Sequence, residues 1–299
     1  MKHLLLIGIS TILGVACSKH TDEFNASGTF EATEITVSAE TNGKILELNI
    51  QEGDQLKAGS IVGYIDSTQL SLKKQQLAAN MRSVDIQKPD IQKQIAALKQ
   101  QIATAKTEIR RQENLVAAKA GNQKQLDDWN NQLKLLERQL EAQYSSLNKL
   151  AGSAGAEVES LQYQIMQLND LILKSCISTP ITGTVLAKYA EAGEITITGK
   201  PIYKIADTDL LYLRAYATVD QLSQLKLGQT LKVFADYGDT YKEYEGTLTW
   251  ISEKAEFTPK GIQTKDERAN LVYAIKVAVT NDGYLKIGQY GELKWKANE

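Results

Sequence analysis

A repeat interrupted by a long insertion constrains this chain more than any other feature. Gly43-Lys44-Ile45 is followed by Gly53 and Gly59, and Gly183-Thr184-Val185 by Gly193 and Gly199. Both copies read G-x-[IV]-x7-G-x5-G at an offset of 140 residues, and Ile65 aligns with Ile205. β-formers cluster around the glycines, as in Ile45–Ile50 and Ile61–Ile65. Glycines at fixed offsets between short strands mark turns that need positive φ. Two such copies predict one small sandwich of paired halves.

The insertion, residues 67–175, has a different composition: 17 glutamines, three glycines, one proline and three of the chain's twenty aromatics. Ile91, Ile95, Leu98, Ile102, Ala105 and Ile109 step in heptad fashion, as do Leu126, Trp129, Leu133, Leu136 and Leu140. Leu147 and Leu150 resume the second run after a polar Gln143, and Ala120-Gly121-Asn122 offers a tight connection. The pattern predicts two antiparallel helices in a coiled coil, each arm roughly 75 Å long if continuous. Pro89 and the stretch Ala151–Gly155 stand at the same height on the two arms, and Val158, Leu161, Ile165, Leu168 and Ile172 follow a new register. Two outcomes are open: a joint there, or Pro89 in a first helical turn opposite a frayed surface stretch.

Gly53–Gly59 and Thr179–Val185 resemble the two half-motifs of a lipoyl- or biotinyl-type domain. Carriers of that kind bear a modified lysine on a short tip between the halves; here the halves are about 110 residues apart and no such lysine is present. At the end of the insertion Arg111, Leu115 and Asn122 fall at R-x3-L-x6-N. This resembles the R-x3-L-x6-S tip of HlyD-like periplasmic adaptors (membrane fusion proteins), with Asn122 in the serine's place. Asn can still cap the helix that follows. In that family the tip meets a TolC-type outer-membrane channel.

From Asp207 onward short strands are expected at Leu210–Ala217, Gln229–Asp236, Tyr244–Ser252, Leu271–Thr280 and Tyr290–Lys296, with a short helix at Val219–Leu227. This suits a small β-barrel and resembles the adaptor barrel. Glu256–Lys260, followed by Gln263–Tyr273, resembles the subgroup of adaptors that work with ABC transporters.

At the N-terminus a basic start precedes thirteen mostly apolar residues, Leu4–Ala16. That is the length of a signal-peptide h-region rather than of a membrane span. Gly14-Val15-Ala16-Cys17 resembles a bacterial lipobox, which would make Cys17 the lipid-attachment residue after cleavage. Cys176 is then the only thiol left and reads as a small buried residue. Of the prolines, Pro180 marks the return to the sandwich, and Pro201 and Pro259 read as loop residues.

Composition removes other functions. The two histidines, His3 and His20, lie in or just behind the targeting segment, which leaves no histidine for catalysis or a metal site. A net charge of −2, with Lys and Arg interspersed, gives no nucleic-acid footprint. Ser71–Lys74 fits S-x-x-K but lacks every companion motif.

The expected fold is α+β, elongated and modular. A signal peptide (1–16) and lipidated tether (17–30) precede a lipoyl-like sandwich in two halves (31–66 and 176–207). The helical hairpin (67–175) is inserted between the halves, and a β-barrel (208–299) follows. The resemblance implies a non-enzymatic adaptor without cofactor, lipid-anchored in the periplasm of a Gram-negative bacterium, at the inner membrane more than the outer. It implies an inner-membrane ABC transporter, a TolC-type channel and further copies of the chain in a ring, a hexamer, as partners. Two alternatives stand beside it: a structural coiled-coil lipoprotein that spaces membranes, and a lipoyl- or biotin-type carrier.

Overall fold

The computed structural model describes residues 24–257 and 271–295. The signal peptide, Cys17, Pro259 and most of the 256–273 stretch lie outside them. The first strand, β1 (Ala26–Glu31), belongs to the barrel. Then come β2 (Glu34–Ser38), β3 (Gly43–Leu48), β4 (Gln55–Leu56) and β5 (Ile61–Ile65), and after the insertion β6 (Cys176–Ser178), β7 (Gly183–Lys188), β8 (Ile195–Thr196) and β9 (Pro201–Ala206). They form two four-stranded sheets, ordered β2-β9-β7-β4 and β6-β5-β3-β8.

The 140-residue repeat is visible in this order. It carries β3, β4 and β5 onto β7, β8 and β9, and one sheet onto the other. The hydrogen bonds repeat with it. Gly53 N–H donates to Val185 O at 2.9 Å and Gly193 N–H to Ile45 O at 2.7 Å. Gly59 N–H donates to Thr179 O, and Gly199 N–H to Ala39 O, both at 2.8 Å. Each half's turns are therefore fastened to the other half's strands. The shared core holds Ile45, Ile65, Val185, Ile202, Tyr203 and Ile205, all essentially solvent-free.

The same two-fold relation exchanges the sandwich's two attachments. The insertion leaves after β5 and returns at β6; the barrel leaves after β9 and enters before β2. β3 starts at the insertion end, where Lys44 O accepts from Asp66 N–H at 2.8 Å. It leads to Gly53 and Gln55, which face the barrel loop around Asn281 and Gly283. Hairpin and barrel are thus attached at opposite ends of the sandwich.

The insertion has three helices, α1 (Thr68–Gln87), α2 (Ile91–Ala117) and α3 (Gln123–Lys174). Of the two open outcomes neither holds whole: a joint is present, in one arm only. Lys88 is extended, as a residue before proline must be, and Asp90 caps α2 by accepting from Lys93 N–H at 3.1 Å. Pro89 therefore precedes the cap rather than sitting in a first turn. The return arm runs unbroken for 52 residues, about 78 Å. Gly152 and Gly155 cost helix stability but keep their N–H donors, whereas proline has none. The register change is absorbed as a four-residue stutter: the seam passes from Leu147 to Ala151 and Ala154, and Leu150 points out, 55% exposed, where the sequence reading placed it in the seam. Ile102, Ala105 and Leu136 form a buried cluster in the seam, with Leu98, Trp129, Leu133 and Leu140 packed against it.

The barrel closes as β1-β10-β13-β12-β11-β14, with β10 (Leu210–Thr218), β11 (Thr230–Tyr237), β12 (Thr240–Phe257), β13 (Leu271–Thr280) and β14 (Tyr290–Lys294). Residues 26–31, expected in the tether and the sandwich, form β1 instead, which bridges β10 and β14 and completes the barrel. It went unread because Ala26-Ser27-Gly28-Thr29 has little β-pattern of its own. Gly28 is there for space: a Cβ would lie 1.9 Å from Arg214 O. Along β10, Leu211, Leu213, Ala215 and Ala217 alternate inward. The helix expected over 219–227 is one turn, α4 (Val219–Leu222), held by a Thr218/Gln221 capping box. It ends at Ser223, and the chain enters β11 through a separate turn at Gly228 (φ 82°). Gln221 also donates to Asn25 O, tying α4 to the start of β1.

Two smaller corrections follow. Pro201 opens β9 rather than lying in a loop, a place where a strand tolerates proline. Cys176 is half-buried rather than buried, because it starts the short β6, whose buried residue is Ile177.

Asp66 and Asp90 give the hairpin an acid limit. The Thr68 hydroxyl and amide hold the Asp66 carboxyl below the usual carboxylate range, and the Lys93 amide does the same for Asp90. A depressed folded pKa contributes stability that is present above the unfolded value of about 3.9 and is lost as pH falls through the folded one. Amide protection at residues 68–70 and 91–94 is therefore expected to drop below about pH 4, before protection at Ile102–Ala105 changes. Hydrogen exchange mapped along the hairpin measures it, and simultaneous loss along the whole arm would refute it.

Candidate functional site: the hairpin tip

The tip is built by two helix ends. α2 closes with a Schellman motif: Lys119 N–H donates to Val116 O and Ala120 N–H to Leu115 O, both at 2.9 Å. The residue in the left-handed position is Lys119, at φ 59°, the one non-glycine residue with positive φ among the described residues. Glycine usually fills this place, since a Cβ there costs about 1 kcal/mol or more. The glycine that is present, Gly121, serves another need. A Cβ on it would lie 2.7 Å from Val116 N and 2.9 Å from the Leu115 carbonyl carbon, so the chain folds back tightly against the end of α2.

Asn122 then caps α3. Its backbone is extended and its side-chain oxygen accepts from Lys124 N–H at 2.9 Å. Arg111 and Leu115 lie one turn apart on α2 and share a face. Arg111 is 71% exposed, with Glu108 3.8 Å away one turn earlier, and Leu115 is 38% exposed. The structure thus gathers Leu115, Gly121 and Asn122 at the apex and sets Arg111 a turn below. Lys119 was not legible as special: nothing in Ala-Ala-Lys-Ala-Gly tells which residue takes the left-handed place.

The six repeat glycines fall into two classes. Gly53, Gly59, Gly193 and Gly199 sit in turns at φ 80–97° with no atom within 4 Å of an added Cβ. Gly43 and Gly183 open strands instead and are needed for close approach.

Elsewhere, a cleft of about 460 Å³ separates sandwich from barrel, lined by Gln55, Thr184 and Leu186 on one side and Thr208, Asn281 and Leu285 on the other. The Thr184 and Thr208 hydroxyls meet across it at 2.8 Å, and Asn281 Nδ2 donates to Thr208 O at 2.8 Å. Among the described residues no cluster of His, Cys, Asp or Glu has the make-up of a metal site, and no helix is long and apolar enough to cross a membrane.

The family model for the RND MFP barrel-sandwich hybrid domain matches residues 33–208, the sandwich together with its hairpin. The chain belongs to the membrane fusion protein family of periplasmic adaptors. Within it, the UPF0194 membrane protein YE2891 of Yersinia enterocolitica is 25% identical over 93% of this chain and 92% of its own length. The UPF0194 membrane protein YbhG of Salmonella gallinarum is 24% identical over 94% and 93%. Among solved structures, MacA from Actinobacillus actinomycetemcomitans matches at a TM-score of 0.50 and 21% identity, covering 90% of this chain and 76% of MacA. A MacA–MexA chimera carrying the Pseudomonas aeruginosa MexA α-hairpin matches at 0.53 and 20%, covering 90% and 78%. Both structures share the fold. Members of the family are periplasmic, membrane-associated and structural in role, partnering inner-membrane transporters and outer-membrane channels.

Proposed function

We propose that this adaptor bridges an inner-membrane ABC transporter to a TolC-type outer-membrane channel in a tripartite efflux or secretion machine. The observation that carries the reading is the placement of hairpin and barrel at opposite ends of one sandwich. A module fixed at both ends can hold two partners apart without catalysing anything. Arg111, Leu115 and Asn122 are the channel contacts in this reading, and Cys17 carries the lipid that keeps the chain on the inner membrane. Several copies, six in the family's pattern, stand side by side as a ring with their hairpins forming a tube. The exposed glutamines of the arms suit wettable contacts between copies. The ABC assignment rests on the resemblance of the 256–273 stretch, while the matching family model is named for RND systems. Co-purification of the inner-membrane partner decides between the two.

The test of the bridge is photo-crosslinking in cells from positions 115 and 122. Capture of an outer-membrane channel protein is the expected result. Absence of capture at both positions, in a folded and abundant protein, sinks the reading and favours a coiled-coil spacer. The spacer reading also predicts that export is indifferent to substitution of Arg111, Leu115 and Asn122.

A further inference from the structure

The root of the hairpin carries two apolar surfaces that its own fold leaves bare. On α1, Leu72, Ala79 and Ile86 recur every seven residues on the side opposite Leu77, the buried residue of that helix. Leu72 is half exposed and Ile86 is 83% exposed. On α3, a groove of about 560 Å³ beside the end of α1 is lined by Gly155, Glu159, Gln162, Tyr163 and Met166. Tyr163 and Met166 are more than half exposed, and so is Leu173, two turns nearer the root on the side of Met166. Gly155 costs helix stability, yet an added Cβ there meets no atom of its own chain within 4 Å. Packing within one copy gives this glycine no purpose; a close neighbour in the groove does.

Charge and height select the neighbour. α1 carries Lys73, Lys74 and Arg82 against Asp85, while α3 from Gly155 to Lys174 carries Glu157, Glu159 and Asp170 against Lys174. A contact of α1 with another α1 is therefore repulsive, and one of α1 with α3 attractive. Tyr64 pairs with Cys176 at the root. Equal rise along the two helices then sets Ile86 level with Gly155 and Arg82 with Glu159, to within about a residue, and Leu72 between Met166 and Leu173. In a parallel copy at the same height, the most exposed knob of α1 meets the glycine of the groove, and its arginine meets a glutamate.

We propose that the back of α1 in one copy seats in the α3 groove of the next, so that copies join through the root of the hairpin, between the sandwich and Pro89. The occupant is a second copy of this chain, and the contact is heterologous, the kind that closes into a ring. This deepens the ring of the bridging reading, and rests on it, by assigning the two surfaces that meet.

The experiment uses the full-length chain with Cys176→Ser and a short bis-maleimide, read on a denaturing gel. Ala79→Cys together with Gln162→Cys should give a ladder that runs past the dimer, while either substitution alone stays monomeric. A dimer from Ala79→Cys alone, or a double variant that stays monomeric, overturns the proposal. Gly155→Leu has room in its own chain, so helix content by circular dichroism should hold while the ladder falls about ten-fold. A ladder undiminished by Gly155→Leu overturns the proposal as well. Arg82→Glu should lower the ladder about three-fold, and Glu159→Arg added to it should restore it. Channel capture from position 115 reports on the bridge separately. Capture without the ladder overturns this contact alone, and loss of both overturns the bridging reading with it.

Discussion

Gly183→Ala is expected to destabilise the sandwich by about 3 kcal/mol or more. The added Cβ would lie 2.1 Å from Ala206 O and 2.7 Å from its carbonyl carbon. Those atoms belong to β9, the strand between β2 and β7, whose Ile205 and Ala206 are fully buried. Backbone in the middle of a sheet cannot step aside, so relief comes only by parting β7 from β9. Its partner in the repeat, Gly43, faces a gentler neighbour. There the Cβ would meet the Cγ2 methyl of Ile65 at 2.8 Å and Asp66 O at 3.0 Å, overlaps smaller than the one at Gly183. Gly53 lacks any atom within 4 Å of an added Cβ, and alanine there meets only the conformational cost of φ 95°, about 1–2 kcal/mol. The order Gly183, Gly43, Gly53 should appear in urea midpoints at constant m-value. Equal midpoints for Gly183→Ala and Gly53→Ala would falsify the division of these glycines into close-approach and turn classes.

The two classes also mark what the sequence could tell. Six glycines at one spacing were enough to find the sandwich, because a repeat needs only residue identity. They were not enough to separate turn from close approach, since that distinction lies in the partner strand 20 or more residues away. The hairpin was legible for a similar reason: heptads report a seam directly. Its continuity was not. Pro89 and Gly152-Ser153-Ala154-Gly155 look like equal breakers, yet only proline removes a donor, and a stutter lets α3 pass from α2 to α1 without a break. β1 was missed because closing a barrel needs a strand from far away in sequence, and Gly28 weakens its pattern where Arg214 O comes close. At the tip, Arg111, Leu115 and Asn122 were found through a spacing. Lys119 has no spacing to reveal it; its place depends on where the last turn of α2 closes.

Excision of the hairpin should separate folding from function completely. Tyr64 pairs with Cys176, and Ile65 N–H donates to Ser175 O at 2.8 Å, so the hairpin's two roots are already adjacent antiparallel strands. Replacing residues 66–174 by Asn-Gly would join them through a two-residue turn of the type such strands prefer. None of the core residues shared by the two halves lies in the excised segment. The closure cost also falls: shortening a flexible connection from more than a hundred residues to two favours the sandwich by at most about 3.5 kcal/mol, less if the arms pair before the sandwich forms. The excised chain should therefore unfold at or above the temperature at which the sandwich and barrel of the full chain do, as read by near-ultraviolet circular dichroism. Channel capture and export should fall to the level of cells lacking the protein. An unfolded excision product would mean that α1 and α3 supply packing the sandwich cannot do without. A folded product that still supports export would remove the hairpin from the mechanism, because a sandwich and barrel alone have no part that projects beyond the attachment end.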